Sequence, residues 1–267
     1  MNTRDHPVAV VTGAARGLGR VIASTLADEG YTLALIDVSN LDATVTDLES
    51  RGAIVWSSAS DVSSESQVVA LCAAVRERFS RVDVLVNNAG ISLLAPAEST
   101  SAAAFKRVID VNLIGPFLLC REFGASMLAT GSGSIVNVAS IAGIRGISHR
   151  VAYNASKHGL IGLTSTLAAE WGGRGVRVNA VCPGWIKTEM DVEDQASGGY
   201  SDDDIVNQVP LHRFAHSDDV AAAVAFLADP RKSSYINGVA LPVDGGWSAD
   251  ASWTALRART RLKPGDR

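Results

Sequence analysis

Cysteine is scarce and poorly placed. Cys72, Cys120 and Cys182 are three in number and scattered, so neither a disulfide framework nor a metal cluster with ligand spacing is expected. Charge is also low: charged residues make up 19% of the chain and the net charge is -4. That gives no electrostatic reason to expect a nucleic acid or an anionic membrane as partner. No apolar stretch approaches the roughly eighteen residues that span a bilayer. Residues 1–7 are polar, without a charged-then-apolar leader or a small-residue cleavage site, so secretion is not expected. Internal repeats and low-complexity tracts are missing too. These absences point to a reduced, cytoplasmic protein without a structural metal, and to a small molecule as the default ligand.

What is present is a long supply of core-forming residues. With 47% hydrophobic residues over 267 positions, the chain can bury a sizeable core, and one domain over 1–267 is expected. Short runs of Val, Ile and Leu at 8–12, 32–37, 54–56, 82–87, 134–138, 176–181 and 239–243 read as buried strands. Between them, at 18–29, 64–79, 105–128, 153–171 and 217–227, apolar residues recur three and four apart, the spacing of helices. This alternation predicts an α/β fold, a mostly parallel sheet with helices on both faces. Two segments depart from it. Residues 187–209 carry seven acidic residues against one Lys and contain Gly198-Gly199, which suits an exposed, mobile insert. The tail at 247–267 carries Trp247 and Trp253, followed by Arg257, Arg259, Arg261, Lys263 and Arg267. It reads as a subunit contact, since aromatic and Arg residues are enriched at interfaces, or, from about residue 260, as a disordered basic end.

The first strand runs into Gly13-Ala14-Ala15-Arg16-Gly17-Leu18-Gly19, after which the helical pattern begins. Glycines at a strand-to-helix turn let the backbone approach a pyrophosphate, whose charge then sits at the positive end of the helix. An ordinary Gly-rich turn is the plainer alternative, but strand, turn and helix all fall in the required order. Asp37 ends the second strand, where a carboxylate accepts hydrogen bonds from ribose hydroxyls and repels a 2'-phosphate. That favours NAD over NADP. Arg16 argues the other way, since a guanidinium can pair with the extra phosphate, unless it is simply a solvated surface cation. Asp61-Val62 and Asn87-Asn88-Ala89-Gly90 close the third and fourth strands, at the edge where parallel sheets bind ligands. Asp61 could instead cap the helix that follows, and Asn87 a turn.

Tyr153 and Lys157 stand four apart at the start of a helical segment and therefore face the same way. A phenol with a reference pKa of about 10 is a poor base at neutral pH; a nearby ammonium favours phenolate and makes it a usable general acid/base. Ser140 ends the fifth strand and can hydrogen-bond a reacting oxygen. Asn112 is a polar amide inside an apolar helical stretch. A Tyr/Lys pair on a solvated face and a mid-helix Asn bound to water are the bland alternatives.

Taken together these residues resemble the short-chain dehydrogenase/reductase family from residue 8 to about 247. The glycine turn, Asp61, Asn87-Asn88-Ala89-Gly90, Asn112, Ser140, Tyr153 and Lys157 occur in that family's order and spacing. Pro183, Gly184, Ile186 and Thr188 look like its nicotinamide-contacting segment, and Val243-Asp244-Gly245-Gly246 like its closing motif. The resemblance implies a Rossmann-type, three-layer, doubly wound sheet of seven parallel strands in order 3-2-1-4-5-6-7, with dinucleotide-binding and catalytic parts in one domain, and a homotetramer. It implies an oxidoreductase that interconverts an alcohol and a ketone with NAD or NADP. Tyr153 would be the acid/base, Lys157 would bind the nicotinamide ribose and lower the Tyr pKa, Ser140 would orient the substrate oxygen, and Asn112 would anchor a relay water.

The substrate is less legible. The insert at 187–209 corresponds to the family's pocket wall; its acidity disfavours anionic substrates, unless its charges face solvent. A 3-oxoacyl-(acyl-carrier-protein) reductase is one candidate, but acidic carrier proteins need a basic docking patch. In the family's carrier-protein reductases such residues lie partly just before the fifth strand, whereas residues 123–144 contain no Lys or Arg; Arg174 alone matches a docking position. A small neutral polar alcohol, of sugar or polyol type, is the leading expectation. A non-catalytic nucleotide-sensing protein is the alternative of another class. His149 and Arg150, just before Tyr153, are either substrate contacts or surface-loop residues.

Overall fold

The computed structural model describes residues 6–196 and 200–252, so Gly198-Gly199, Trp253 and the basic tail lie outside the described residues. The seven apolar runs form β1 (Val8–Thr12), β2 (Thr32–Asp37), β3 (Val55–Ala59), β4 (Val84–Asn87), β5 (Gly133–Val138), β6 (Val176–Pro183) and β7 (Ala240–Val243). They make one sheet in the order β3-β2-β1-β4-β5-β6-β7, every pair parallel. Parallel neighbours require crossovers that return the chain to the same edge, and helices provide them. These are α1 (Gly17–Asp28), α2 (Asp42–Ser50), α3 (Glu65–Phe79), α4 (Ala102–Ile109), α5 (Gly115–Thr130), α6 (Val151–Trp171), α7 (Glu189–Ala196), α8 (Asp202–Gln208), α9 (Ser217–Ala228) and α10 (Pro230–Ser233).

Both sheet faces are covered, which is why the central strands are apolar without alternation. On one face Ile22 and Leu26 of α1 and Val220 and Val224 of α9 pack on Val11, Leu33 and Leu35. On the other, Val68 and Leu71 of α3, Leu119 and Phe123 of α5 and Leu167 of α6 pack on Val10, Leu85 and Ile135. The result is the three-layer, doubly wound architecture. Strand β1 lies between β2 and β4, so the chain reverses its direction of travel across the sheet there. The crevice outside the carboxyl ends of the strands opens at that switch point.

Two segments differ from the sequence expectation. The single helix expected at 105–128 is α4, a π turn at Asp110–Ile114, and α5. The turn accommodates Asn112, fully buried, and Pro116 in the first turn of α5 has no N–H to lose. The acidic insert contains α7 and α8 rather than only irregular chain. Ser201 and Asp204 cap α8 reciprocally, and Ile205 and Val209 are buried beneath it. Among the described residues no helix is long and apolar enough to cross a membrane.

All three cysteines are buried and unpaired. Burial pushes the Cys72 and Cys120 thiols up to about 12 and Cys182 to about 11. Since thiolate is the reactive form, the native protein should react negligibly with a thiol reagent at about pH 8. All three should react after denaturation; stoichiometric labelling of the native protein would contradict this burial. Thiols raised in the folded state also favour folding below their unfolded pKa and lose that contribution as pH rises through the folded values.

Candidate active site

The turn after β1 is built by backbone. Gly13 has φ +67° and Gly17 φ +54°, left-handed values that favour glycine. A Cβ on Gly13 would lie 2.8 Å from Asn88 Nδ2 and 2.9 Å from Ala89 Cα. Asn88 ties β4 to this turn, donating to the carbonyls of Thr12 (2.9 Å) and Gly13 (3.1 Å). Thr12 Oγ1 accepts the N–H groups of Asn88 and Ala89, each at 3.0 Å. At the end of β2, Asp37 accepts the Ala15 N–H (3.0 Å) and the Ser39 N–H (2.9 Å), so its carboxylate is held beside the glycine turn.

Asp61 follows β3. Its Oδ1 accepts the Ser63 N–H and hydroxyl (2.9 and 2.6 Å), and its Oδ2 faces Arg107 at 3.3 Å. Burial pushes the carboxyl up, but the Ser63 hydrogen bonds and the Arg107 charge outweigh it and hold the group below the usual carboxylate range.

At the other end, α6 presents Tyr153 and Lys157 one turn apart, with Lys157 Nζ 5.5 Å from the Tyr153 ring centroid. Lys157 is 4% exposed and donates to the Val138 carbonyl at 2.8 Å; burial pulls its ammonium down to about 8. The Ser140 hydroxyl accepts the Ala142 N–H at 3.1 Å and hydrogen-bonds Tyr153. The sequence reading expects Lys157 to lower the phenol pKa. In the structure burial pushes Tyr153 up, opposed by the Ser140 hydrogen bond and the Arg150 charge, while Asp194 raises it further. Asn112 Oδ1 accepts the Ile91 N–H, and its Nδ2 donates to the Ile91 carbonyl (both 2.9 Å) and to Ser156 Oγ (3.2 Å). It therefore clamps the chain after β4 to the helix that carries Tyr153.

One cleft of about 560 Å³ runs between the two ends. Gly13, Arg16, Gly17, Leu18, Gly19, Asp37, Asp61, Val62, Asn88, Gly90, Ser140, Tyr153, Lys157, Pro183, Gly184, Ile186 and Thr188 all line it. Asn112 stands behind the wall. Of His149 and Arg150, Arg150 lines the cleft and is buried, whereas His149 is exposed, at φ +62°.

Ser92, Arg107, Trp185, Asp194 and Tyr200 also line the cleft and were not expected there. Trp185 sits between Gly184 and Ile186, so its position was a usable signal. Nothing local in sequence marks Arg107 or Asp194, whose positions depend on partners far along the chain.

A family model described as Enoyl-(Acyl carrier protein) reductase matches residues 13–248. The D-threitol dehydrogenase of Mycolicibacterium smegmatis is 42% identical over 246 residues, covering 91% of this chain and 94% of that protein. A 3-oxoacyl-(acyl-carrier-protein) reductase of Staphylococcus epidermidis is 39% identical, covering 89% and 97%. The crystal structure of levodione reductase superposes with a TM-score of 0.88 at 40% identity, covering 91% of this chain and 98% of that one.

Proposed function

From the premise that this chain belongs to the short-chain dehydrogenase/reductase family, as an NAD(P)-dependent oxidoreductase of CH–OH and C=O groups, we propose that it interconverts a small neutral secondary alcohol and its ketone through Tyr153. The observation that carries this reading is the convergence of Ser140, Tyr153 and Lys157 on one end of a cleft whose other end holds the glycine turn and Asp37.

The residues present fit a nicotinamide dinucleotide. A side chain at Gly13 would fill the cradle beside Asn88 and Ala89, leaving backbone as the surface offered to a pyrophosphate. Gly13, Arg16, Gly17, Leu18 and Gly19 would hold the phosphates; Asp37 the adenosine ribose; Asp61, Val62, Asn88 and Gly90 the adenine side; Pro183, Gly184, Ile186, Thr188, Tyr153 and Lys157 the nicotinamide end. When bound, the dinucleotide supplies or takes the hydride. The protein handles the proton: the Tyr153 hydroxyl gives it to the forming alkoxide in reduction, and the Tyr153 phenolate takes it from the alcohol in oxidation, with Ser140 donating to the same substrate oxygen. Asn112 keeps α6 and the chain after β4 in register.

NAD is the proposed preference, because Asp37 is held in place by two backbone N–H groups and a fixed carboxylate repels a 2'-phosphate. Calorimetric titration should show NADH binding at least about tenfold more tightly than NADPH, a difference of about 1.4 kcal/mol. Asp37→Ser should narrow that ratio. Tighter NADPH binding by the unaltered protein would assign the selectivity to Arg16 instead.

A sugar or polyol substrate is supported by the threitol dehydrogenase relative, named for a polyol. The carrier-protein relative favours a 3-oxoacyl thioester, against the lack of Lys and Arg across residues 123–144. A panel of polyols, sugars and secondary alcohols, with an acetoacetyl thioester on its carrier protein as a separate arm, separates the two when followed by the absorbance of reduced nicotinamide. Turnover confined to the thioester would replace the polyol reading, and cofactor binding without any turnover would favour a nucleotide sensor. One catalytic domain and a homotetramer complete the proposal; light scattering tests the second.

A further inference from the structure

The substrate end of the cleft contains an ion pair that the proton chemistry leaves unused. Arg150 is 6% exposed although it stands at the position just before α6. One of its guanidinium nitrogens donates to Ser92 Oγ at 2.7 Å and the other lies 2.8 Å from Asp194 Oδ2 on α7. Asp194 also accepts the Ser92 hydroxyl at 3.2 Å. The guanidinium sits 5.6 Å from the Trp185 ring centroid, and Trp185 lies 5.1 Å from Tyr200. All of these residues line the cleft with Tyr153, and the charges of both Arg150 and Asp194 act on the Tyr153 phenol.

A buried ion pair is a poor source of stability, because desolvation offsets the attraction. Its consequence for a ligand is sharper. Arg150 alone would be a fork for carboxylates and phosphates. With Asp194 beside it the cation is compensated, and the wall presents donor and acceptor side by side. A hydroxyl, which both donates and accepts, matches that surface. A carboxylate, which only accepts, meets the like charge of Asp194.

We propose that Arg150 and Asp194 form a specificity-determining clamp, selecting a neutral substrate with a second hydroxyl near the reacting carbon, rejecting anionic analogues, and fastening α7 against the cleft. This rests on the oxidoreductase reading above.

The test compares kcat/KM for a neutral hydroxyketone and a matched keto acid in the wild type, Asp194→Asn and Arg150→Met, with pH profiles. The wild type should favour the neutral substrate by at least about a hundredfold, the scale of a like-charge clash. In Asp194→Asn that ratio should fall by at least about tenfold, through gained activity on the acid as well as lost activity on the neutral substrate. Arg150→Met should lose neutral activity without gaining the acid. The two charges act oppositely on Tyr153, so the Tyr153 limb of the pH profile should move down in Asp194→Asn and up in Arg150→Met. A purely structural role would not produce opposite shifts. Where the amide variant fails to fold, Asp194→Ala gives the same reading. Turnover with unchanged selectivity in the Asp194 variants overturns the clamp alone; no wild-type turnover on either substrate overturns the small-neutral-alcohol reading and the clamp with it.

Discussion

Replacing Tyr153 by Phe should lower kcat by about 10²–10⁴-fold, the usual contribution of a positioned proton donor, while NADH affinity stays within about threefold, since only one hydroxyl is removed. The aromatic ring, the α6 backbone and the Lys157 hydrogen bond to Val138 are all retained, so a loss confined to turnover isolates the O–H group. Single-turnover reduction measured at saturating cofactor checks it, and turnover above about a tenth of wild type would remove Tyr153 from the proton step.

The direction of the pH dependence follows from the same residue. Burial raises the phenol pKa and keeps the protonated form dominant. Reduction needs that phenol as acid and should hold through neutral pH, falling only as pH rises through the Tyr153 pKa. Alcohol oxidation needs the phenolate and should strengthen as pH rises over the same range.

Gly19→Ala should have the second largest effect, by a different route. Gly19 lies in the first turn of α1, and its added Cβ would collide with the Gly13 carbonyl oxygen and lie 2.5 Å from Asn88 Nδ2. That amide already holds the Thr12 and Gly13 carbonyls, so the turn and the chain after β4 must both move. Overpacking of this kind costs about 1–3 kcal/mol of stability. Displacing the same backbone should weaken dinucleotide binding by at least about tenfold. Gly173→Ala, where an added Cβ meets nothing within 4 Å, is the control. Equal Tm and NADH affinity in both variants would show that the close approach at Gly19 is dispensable.

The legible part of this molecule is the part written in local chemistry. Val8–Thr12 and the other apolar runs announce buried parallel strands because a strand covered on both faces has no polar side to display. The glycine turn is readable because only glycine takes left-handed backbone freely, and the Tyr153/Lys157 pair because four residues make one helical turn. The π turn at Asn112 was not readable: periodicity across Asp110–Ile114 is helical either way, and the extra residue is accommodated only once the side chain meets Ile91. The direction of the charges in the acidic insert was not readable either, since composition counts charges without direction. Asp202, Asp203 and Asp204 face solvent, but Asp194 turns inward to Arg150.

By itself, then, the sequence determined the α/β alternation, the glycine turn after β1 and the Tyr153/Lys157 pair, each of which depends on neighbours within a few residues. Tertiary structure alone decided that Arg150 rather than His149 enters the cleft, that Arg107 meets Asp61, and that Asp194 closes on Arg150. Those pairings join segments far apart along the chain, and their side chains become neighbours only when parallel strands carry their carboxyl ends to the same edge of the sheet.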